Sequence, residues 1–272
     1  MLTELLGKGG CLCQPAREGK LHCPLIVRPS SEDVITSHLF QALQVLNSRW
    51  WLPDFLNEAL GVNCFRRQFY RKLKIELWKN REKYPRELAP WSEGSTQVDV
   101  TITWENPPTT VFVEMKYGSD LSPVTSANVG QHGYPSDQLV RNVRVGLLEN
   151  GYFRLNHLFN PTPRDFIFLI VSPEKNHPLI SKYRDPNKLR EAIPHSGLIP
   201  RLPKLPFIGG LSYTEVVRLL RQHHRWFSRP ERILVDLLTE YLEMKMENIP
   251  RNSSVDPSRT LFDQSLEPGD DT

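Results

Sequence analysis

Asp99, Glu114 and Lys116 are the residues of this chain whose types and spacing could do chemistry together. Asp99 stands inside the alternating run Val98-Asp99-Val100-Thr101-Ile102-Thr103-Trp104, and Glu114-Met115-Lys116 closes the apolar run Val111-Phe112-Val113. Asn106-Pro107-Pro108 between them reads as a turn. With antiparallel register about that turn, Asp99 falls opposite the 114–116 region, and side chains directly opposite share a face. Two carboxylates so placed can share a hard divalent cation, which takes oxygen ligands. A lysine beside them can lower the pKa of an attacking water or neutralise charge developing on a phosphorane-like transition state. The same residues also describe an ordinary hairpin with a solvated outer face and a weak Glu114–Lys116 surface pair. Against that reading, the Glu-x-Lys tripeptide ends a strongly apolar strand and follows an aspartate across a turn.

The elements that must hold these residues follow from periodicity. Ser30-Ser31-Glu32-Asp33 opens a helix, a serine cap followed by acidic residues, and Ile35, Leu39, Leu43 and Leu46 recur at helical spacing. Glu32, three residues before Ile35, lies near the apolar face, whereas Asp33 falls with Thr36 and Ser37 on the polar side. A short helix is expected from Asp54 to Leu60, stopped by Gly61. Leu73, Ile75 and Leu77 alternate against Lys74 and Glu76 as a half-buried strand. In the next strand one face carries Val98, Val100, Ile102 and Trp104, and the other carries Asp99, Thr101 and Thr103. Phe112, Glu114 and Lys116 share a face of the strand after it. Beyond a polar loop from Gly118 to Pro135, a helix starting at Ser136 buries Leu139, Val143 and Leu147, with Gln138, Arg141 and Asn142 beside that stripe. Phe166 to Val171 is an apolar strand broken at Ser172-Pro173. Pro-rich sequence at 194–206 leads to amphipathic helices at about 212–227 and 230–247.

Composition sets the outer bounds. The chain has 272 residues, 39% hydrophobic and 24% charged, enough for a sizeable core without staples. No apolar run approaches the roughly 18 residues that cross a bilayer, and the N-terminus lacks a signal-peptide core. A soluble, cytoplasmic protein with no membrane partner is expected. The net charge is only +3, but Phe65 to Ala89 holds nine Lys or Arg against three Glu, interleaved with Phe69, Tyr70 and Trp78. Arg66, Arg67, Arg71, Lys72 and Lys74 in that segment suit a phosphate backbone, or a solvated face. Cys11, Cys13, Cys23 and Cys64 do not match paired zinc knuckles and read as free thiols in a reducing compartment. His132 carries no clear role, and His223 and His224 stand with Arg218, Arg221 and Arg225 in a basic helix that reads as a solvated or phosphate-facing surface.

The array of Glu32 in a leading helix, Asp99 in one strand, Glu114-Met115-Lys116 in the next and Gln138 opening the following helix resembles the PD-(D/E)xK nuclease superfamily. The resemblance covers roughly residues 30–172, and Val98 stands where the family pattern has proline. It implies a restriction-endonuclease-like αβββαβ core, an α/β fold with a mixed central sheet flanked by helices and additional C-terminal helices. It further implies that Asp99, Glu114 and the Met115 carbonyl bind Mg2+ or Mn2+, that Glu32 assists, that Lys116 supports the nucleophilic water and that Gln138 sits nearby. On this reading 1–29 is a flexible leader, 30–172 the nuclease core, 173–248 a Pro-rich connection with C-terminal helices, and 249–272 a disordered acidic tail. The expected activity is metal-dependent hydrolysis of DNA, with RNA open, Arg141 joining the basic segment on phosphate. A homodimer is consistent with cutting two strands. The alternative is a non-catalytic nucleic-acid-binding or assembly module on the same fold.

Overall fold

The computed structural model describes residues 32–81, 88, 96–117, 137–154, 164–204 and 206–249. Outside the described residues lie the leader 1–29 with Cys11, Cys13 and Cys23, the Ser30-Ser31 cap, Lys83 and Arg86, the loop with His132, Ser136, and the tail beyond Ile249.

The hairpin forms as alternation and the proline turn dictate. β2 (Gln97–Glu105) and β3 (Pro108–Met115) pair antiparallel, with Val100 opposite Val113 and Ile102 opposite Val111. β1 (Lys74–Asn80) adds antiparallel to β2. β4 (Asp165–Ser172) runs parallel to β3, and β5 (Ile208–Ser212) parallel to β4. The result is a five-stranded mixed sheet in chain order, an α/β architecture. Parallel strands need crossovers that cover the sheet, which is why β4 is apolar on both faces.

The helices are α1 (Glu32–Val45), α2 (Leu52–Leu60), α3 (Gln138–Glu149), α4 (Pro178–Tyr183), α5 (Pro186–Ala192), α6 (Tyr213–His223) and α7 (Arg229–Glu247). Each face of the sheet has its own core. Val111, Val113, Met115, Leu169 and Leu211 pack with α1, α2, α6 and α7. Phe112, Phe166, Phe168, Ile170 and Ile208 pack with α3, α4 and α5. Among the described residues no helix is long and apolar enough to cross a membrane.

Several details depart from the sequence reading. A fifth strand, β5, and the short helices α4 and α5 lie within the stretch assigned to a connection and helices. Thr36 and Ser37 are buried instead of solvated. The Thr36 hydroxyl donates to the Glu32 carbonyl at 2.8 Å and Ser37 Oγ accepts from Gln41 at 2.8 Å, so their polar atoms are satisfied beneath the packed α7. The alternation in β2 also breaks at Asp99. Val100 joins one core and Val98 the other, so the four apolar residues do not share a face. Opposite Asp99, between the Leu77–Val100 and Lys79–Val98 pairs, Trp78 has a φ of +50°, a conformation costing a bulky residue about 1–3 kcal/mol.

Candidate active site

At the C-terminal end of β3, side chains from four elements meet. Glu114 is fully buried on the α3 side of the sheet. Its Oε1 accepts a hydrogen bond from Gln138 and lies 3.0 Å from Lys116 Nζ, while Oε2 accepts from Asn142 Nδ2 at 2.9 Å. Gln138 and Asn142, one helical turn apart on α3, present adjacent donors. Asp137 caps the same helix by accepting from the Val140 N–H at 2.9 Å, so α3 starts at Gln138, two residues beyond Ser136. The Tyr183 hydroxyl secures that cap from α4, donating to Asp137 Oδ2 at 2.6 Å.

Asp99 is buried where β2 leaves the ladder. Its Oδ2 accepts the Met115 N–H at 3.0 Å, taking the place of a backbone acceptor and fastening the carboxylate beside the Glu114–Lys116 segment. Glu32, at the start of α1, reaches across from the other face. Its Oε1 lies 3.4 Å from Lys116 Nζ and its Oε2 accepts the Tyr117 N–H at 3.1 Å. Lys116 therefore bridges two carboxylates from opposite layers.

The electrostatics follow from this crowding. Burial of Lys116 alone would lower its pKa, but the charges of Glu114, Glu32 and Asp99 outweigh it and hold the ammonium above its ordinary value. Lys116 is thus a cation at neutral pH, suited to stabilise negative charge and not to abstract a proton.

Two tyrosines complete the cluster. The Tyr213 hydroxyl donates to the Lys116 carbonyl at 2.6 Å, and burial raises its pKa well above the usual range, with Glu32 adding to the effect. The Tyr117 hydroxyl donates toward the carbonyls of Lys245 and Asn248, at 2.8 and 3.0 Å, tying the end of α7 to the site. Neither was a candidate from sequence. Ser212-x-x-Glu215, a capping box, marks the helix start that places Tyr213, and was the available signal.

The acidic oxygens at this position are the carboxylates of Asp99 and Glu114, with Glu32 adjacent. Among the described residues no group of three or more His, Cys, Asp or Glu forms a metal cage by itself. Mg2+ commonly uses only one or two protein carboxylates, completing its shell with water and substrate phosphate, so this donor set fits that ion.

The basic candidates divide. Arg66 is engaged by Asp54, its Nε donating to Oδ1 at 2.7 Å and its Nη2 to Oδ2 at 3.2 Å. Lys74 pairs with Glu76 at 2.9 Å. Arg67, Arg71 and Lys72 are exposed, and Arg141 is half-buried on α3 next to Asn142. Arg81 is buried, paired with Glu149 at 3.0 Å and bonded to Thr101 above the Phe112 ring, a structural role. In α6, Arg218 lies 2.9 Å from Glu58 and Arg221 grips Glu243. His223 Nε2 lies 2.6 Å from Asp54, and His224 is 3.0 Å from Asp236. Arg218, Arg221, His223 and His224 thus each lie against an acidic side chain of the chain itself. Cys64 is a free, exposed thiol.

No protein-family model, curated protein or solved structure matches this chain.

Proposed function

We propose that the chain is a metal-dependent deoxyribonuclease of the PD-(D/E)xK type, its sheet and helices forming a restriction-endonuclease-like core. The observation that carries this reading is the meeting of Asp99, Glu114 and Glu32 around the Lys116 ammonium at one end of the sheet. Carboxylate oxygens gathered in this way are the hard ligands that a divalent cation takes.

Asp99, Glu114 and the Met115 carbonyl would hold Mg2+ or Mn2+, with Glu32 in support, and such an ion supplies Lewis-acid stabilisation and an activated water. The rest is the work of the chain itself. Gln138 and Asn142 orient the Glu114 carboxylate, the Met115 N–H orients Asp99, and Tyr213 holds the backbone of Lys116. Lys116 is then aimed by Glu32 to neutralise charge that develops on a phosphoryl oxygen during attack. Exposed Arg67, Arg71 and Lys72, with Arg141 on α3, would contact the phosphate backbone of DNA or RNA.

The test is cleavage of single-stranded, duplex and branched DNA and of RNA, with and without Mg2+ or Mn2+. Lys116→Ala and Asp99→Asn should each lower the rate by about 100-fold or more with folding retained. Undiminished cleavage in both variants would sink the proposal. One observation favours a second reading, a non-catalytic nucleic-acid-binding module: both oxygens of Glu114 already have protein donors. Calorimetric titration with Mn2+ separates the two, since binding abolished in Asp99→Asn belongs to the nuclease alone.

A further inference from the structure

At the opposite end of the α1–α7 layer lies an aromatic and basic cluster, of which the proposed chemistry uses Arg67 alone. Trp50, in a 3-10 turn after α1, stacks on Trp226, in the 3-10 turn between α6 and α7, with ring centroids 5.5 Å apart and planes 17° from parallel. The guanidinium of Arg49 lies 5.0 Å from the Trp50 ring centre, and that of Arg225 lies 4.8 Å from the Trp226 ring centre. Beside Trp50 opens a cleft of about 690 Å³, bordered by Arg67 and Phe69. Phe69 is 71% exposed and Trp226 52% exposed, unusual for side chains of this size. The acid in the cleft wall, Asp54, is taken up by Arg66 and His223, so the surface facing solvent is cationic.

Aromatic faces interleaved with arginines have a specific chemical complement. Nucleobases stack on the rings and on guanidinium planes, and phosphates meet the cations. A duplex, whose bases are stacked on each other, offers no free base face to these rings. An apolar protein partner would leave Arg49, Arg67 and Arg225 without counter-charge. The cluster is also separate from the carboxylate site: Glu32 starts α1 there, and the 14 residues of α1 carry the chain about 20 Å before Trp50 is reached.

We propose that Trp50, Trp226, Phe69, Arg49, Arg67 and Arg225 form a binding platform for single-stranded nucleic acid. This deepens the nuclease reading by naming the form of the substrate, and it is tested without cleavage. Fluorescence anisotropy of labelled dT20 and of a 20-base-pair duplex, with the full chain in EDTA, should show tighter binding of the single strand by about tenfold or more, with tryptophan quenching. Trp226→Ala should weaken dT20 binding by roughly 5- to 150-fold, the range of one stacked base, and change duplex binding little. Phe69→Ala, at a more exposed position, gives an independent variant, and Arg67→Ala should lower the salt slope by about one. Equal affinity for the two strand forms, or dT20 binding unchanged in both aromatic variants, would overturn the platform. So would equally tight binding of polyglutamate, which would make the face a general anion or acidic-protein surface. Metal-dependent cleavage in the wild type with no platform effect would leave the nuclease standing, and the converse result would leave the platform standing.

Discussion

Two buried carboxylates stand in different parts of this molecule, Asp54 on α2 and Glu114 on β3, and the difference between their surroundings is instructive. Asp54 receives the Arg66 fork and His223, a cation and a ring that match its charge. Glu114 receives two amides and lies beside the Lys116 ammonium, which Glu32 also approaches. Charge balance at Asp54 is what a structural ion pair needs, because an uncompensated buried charge is strongly destabilising. On the proposed reading, the hard oxygens gathered at Glu114 are there for a divalent cation. Identical residue chemistry thus serves stability at one end and, on the proposed reading, a ligand at the other.

The largest expected effects fall on two glycines that let α2, which bears Asp54, and α3, which bears the amide partners of Glu114, dock on the sheet. A Cβ on Gly209 would lie 2.2 Å from the Ala59 carbonyl oxygen, so Gly209→Ala must push α2, which bears Asp54, off β5. Backbone cannot yield as a flexible side chain can, and a loss of about 3 kcal/mol or more is expected. A Cβ on Gly146 would lie 2.1 Å from the Phe166 ring, which is buried against Phe112 and Phe207, so Gly146→Ala should cost about 1–3 kcal/mol. Thermal melts give the ranking, and hydrogen exchange should localise the damage to α2 in the first variant and to α3 in the second. Loss of α3 protection in both would show that the two ends are not independent.

Sequence patterns reach different depths in the two regions. β2, β3 and their turn are legible because each is written in contiguous residues: alternation, a proline-bearing turn, then an apolar run. The polar donors of α3 are legible too, since Gln138 and Asn142 follow helical spacing. β5 is not, because Gly209 and Gly210 carry no side chains to set a period; they are small so that Ala59 and Ile180 can approach. The pairing of Asp54 with His223 joins residues 169 apart, and no local pattern announces it. Arg66 and Arg81 show why counting cations overstates a binding surface: each is already committed to a partner within the chain. The break of alternation at Asp99 was equally hidden, since it arises from Trp78 on the neighbouring strand.

A smaller effect separates the two carboxylates by hydrogen-bond geometry. In Asp54→Asn the new NH2 faces Arg66 or the shared Arg66–His223 position, and the guanidinium has only donors to offer. A loss of about 1–2 kcal/mol is expected, held to that size because Arg66 is mostly exposed to water. In Glu114→Gln the oxygen can keep Lys116 and Gln138 while Asn142 flips its amide to accept from the new NH2. That variant relieves negative crowding as well, so its stability should stay within about 1 kcal/mol of wild type. Urea titrations of both decide the matter, and a Glu114→Gln variant as destabilised as Asp54→Asn would break the contrast.

Acid sharpens it further. Burial tends to raise the Asp54 pKa, but the hydrogen bonds and charges of Arg66 and His223 outweigh that and leave it below the ordinary aspartate value. A carboxyl depressed on folding stabilises the protein above its unfolded pKa, about 3.9, and loses that contribution as pH falls through the lower, folded value. The stability gap between wild type and Asp54→Asn should therefore be full at pH 6 and close progressively below about pH 4. Urea midpoints measured from pH 6 to pH 2 follow that closure. A gap that persists unchanged at pH 2 would mean that Asp54 acts through packing, and that charge matching is not what distinguishes its end of the molecule from that of Glu114.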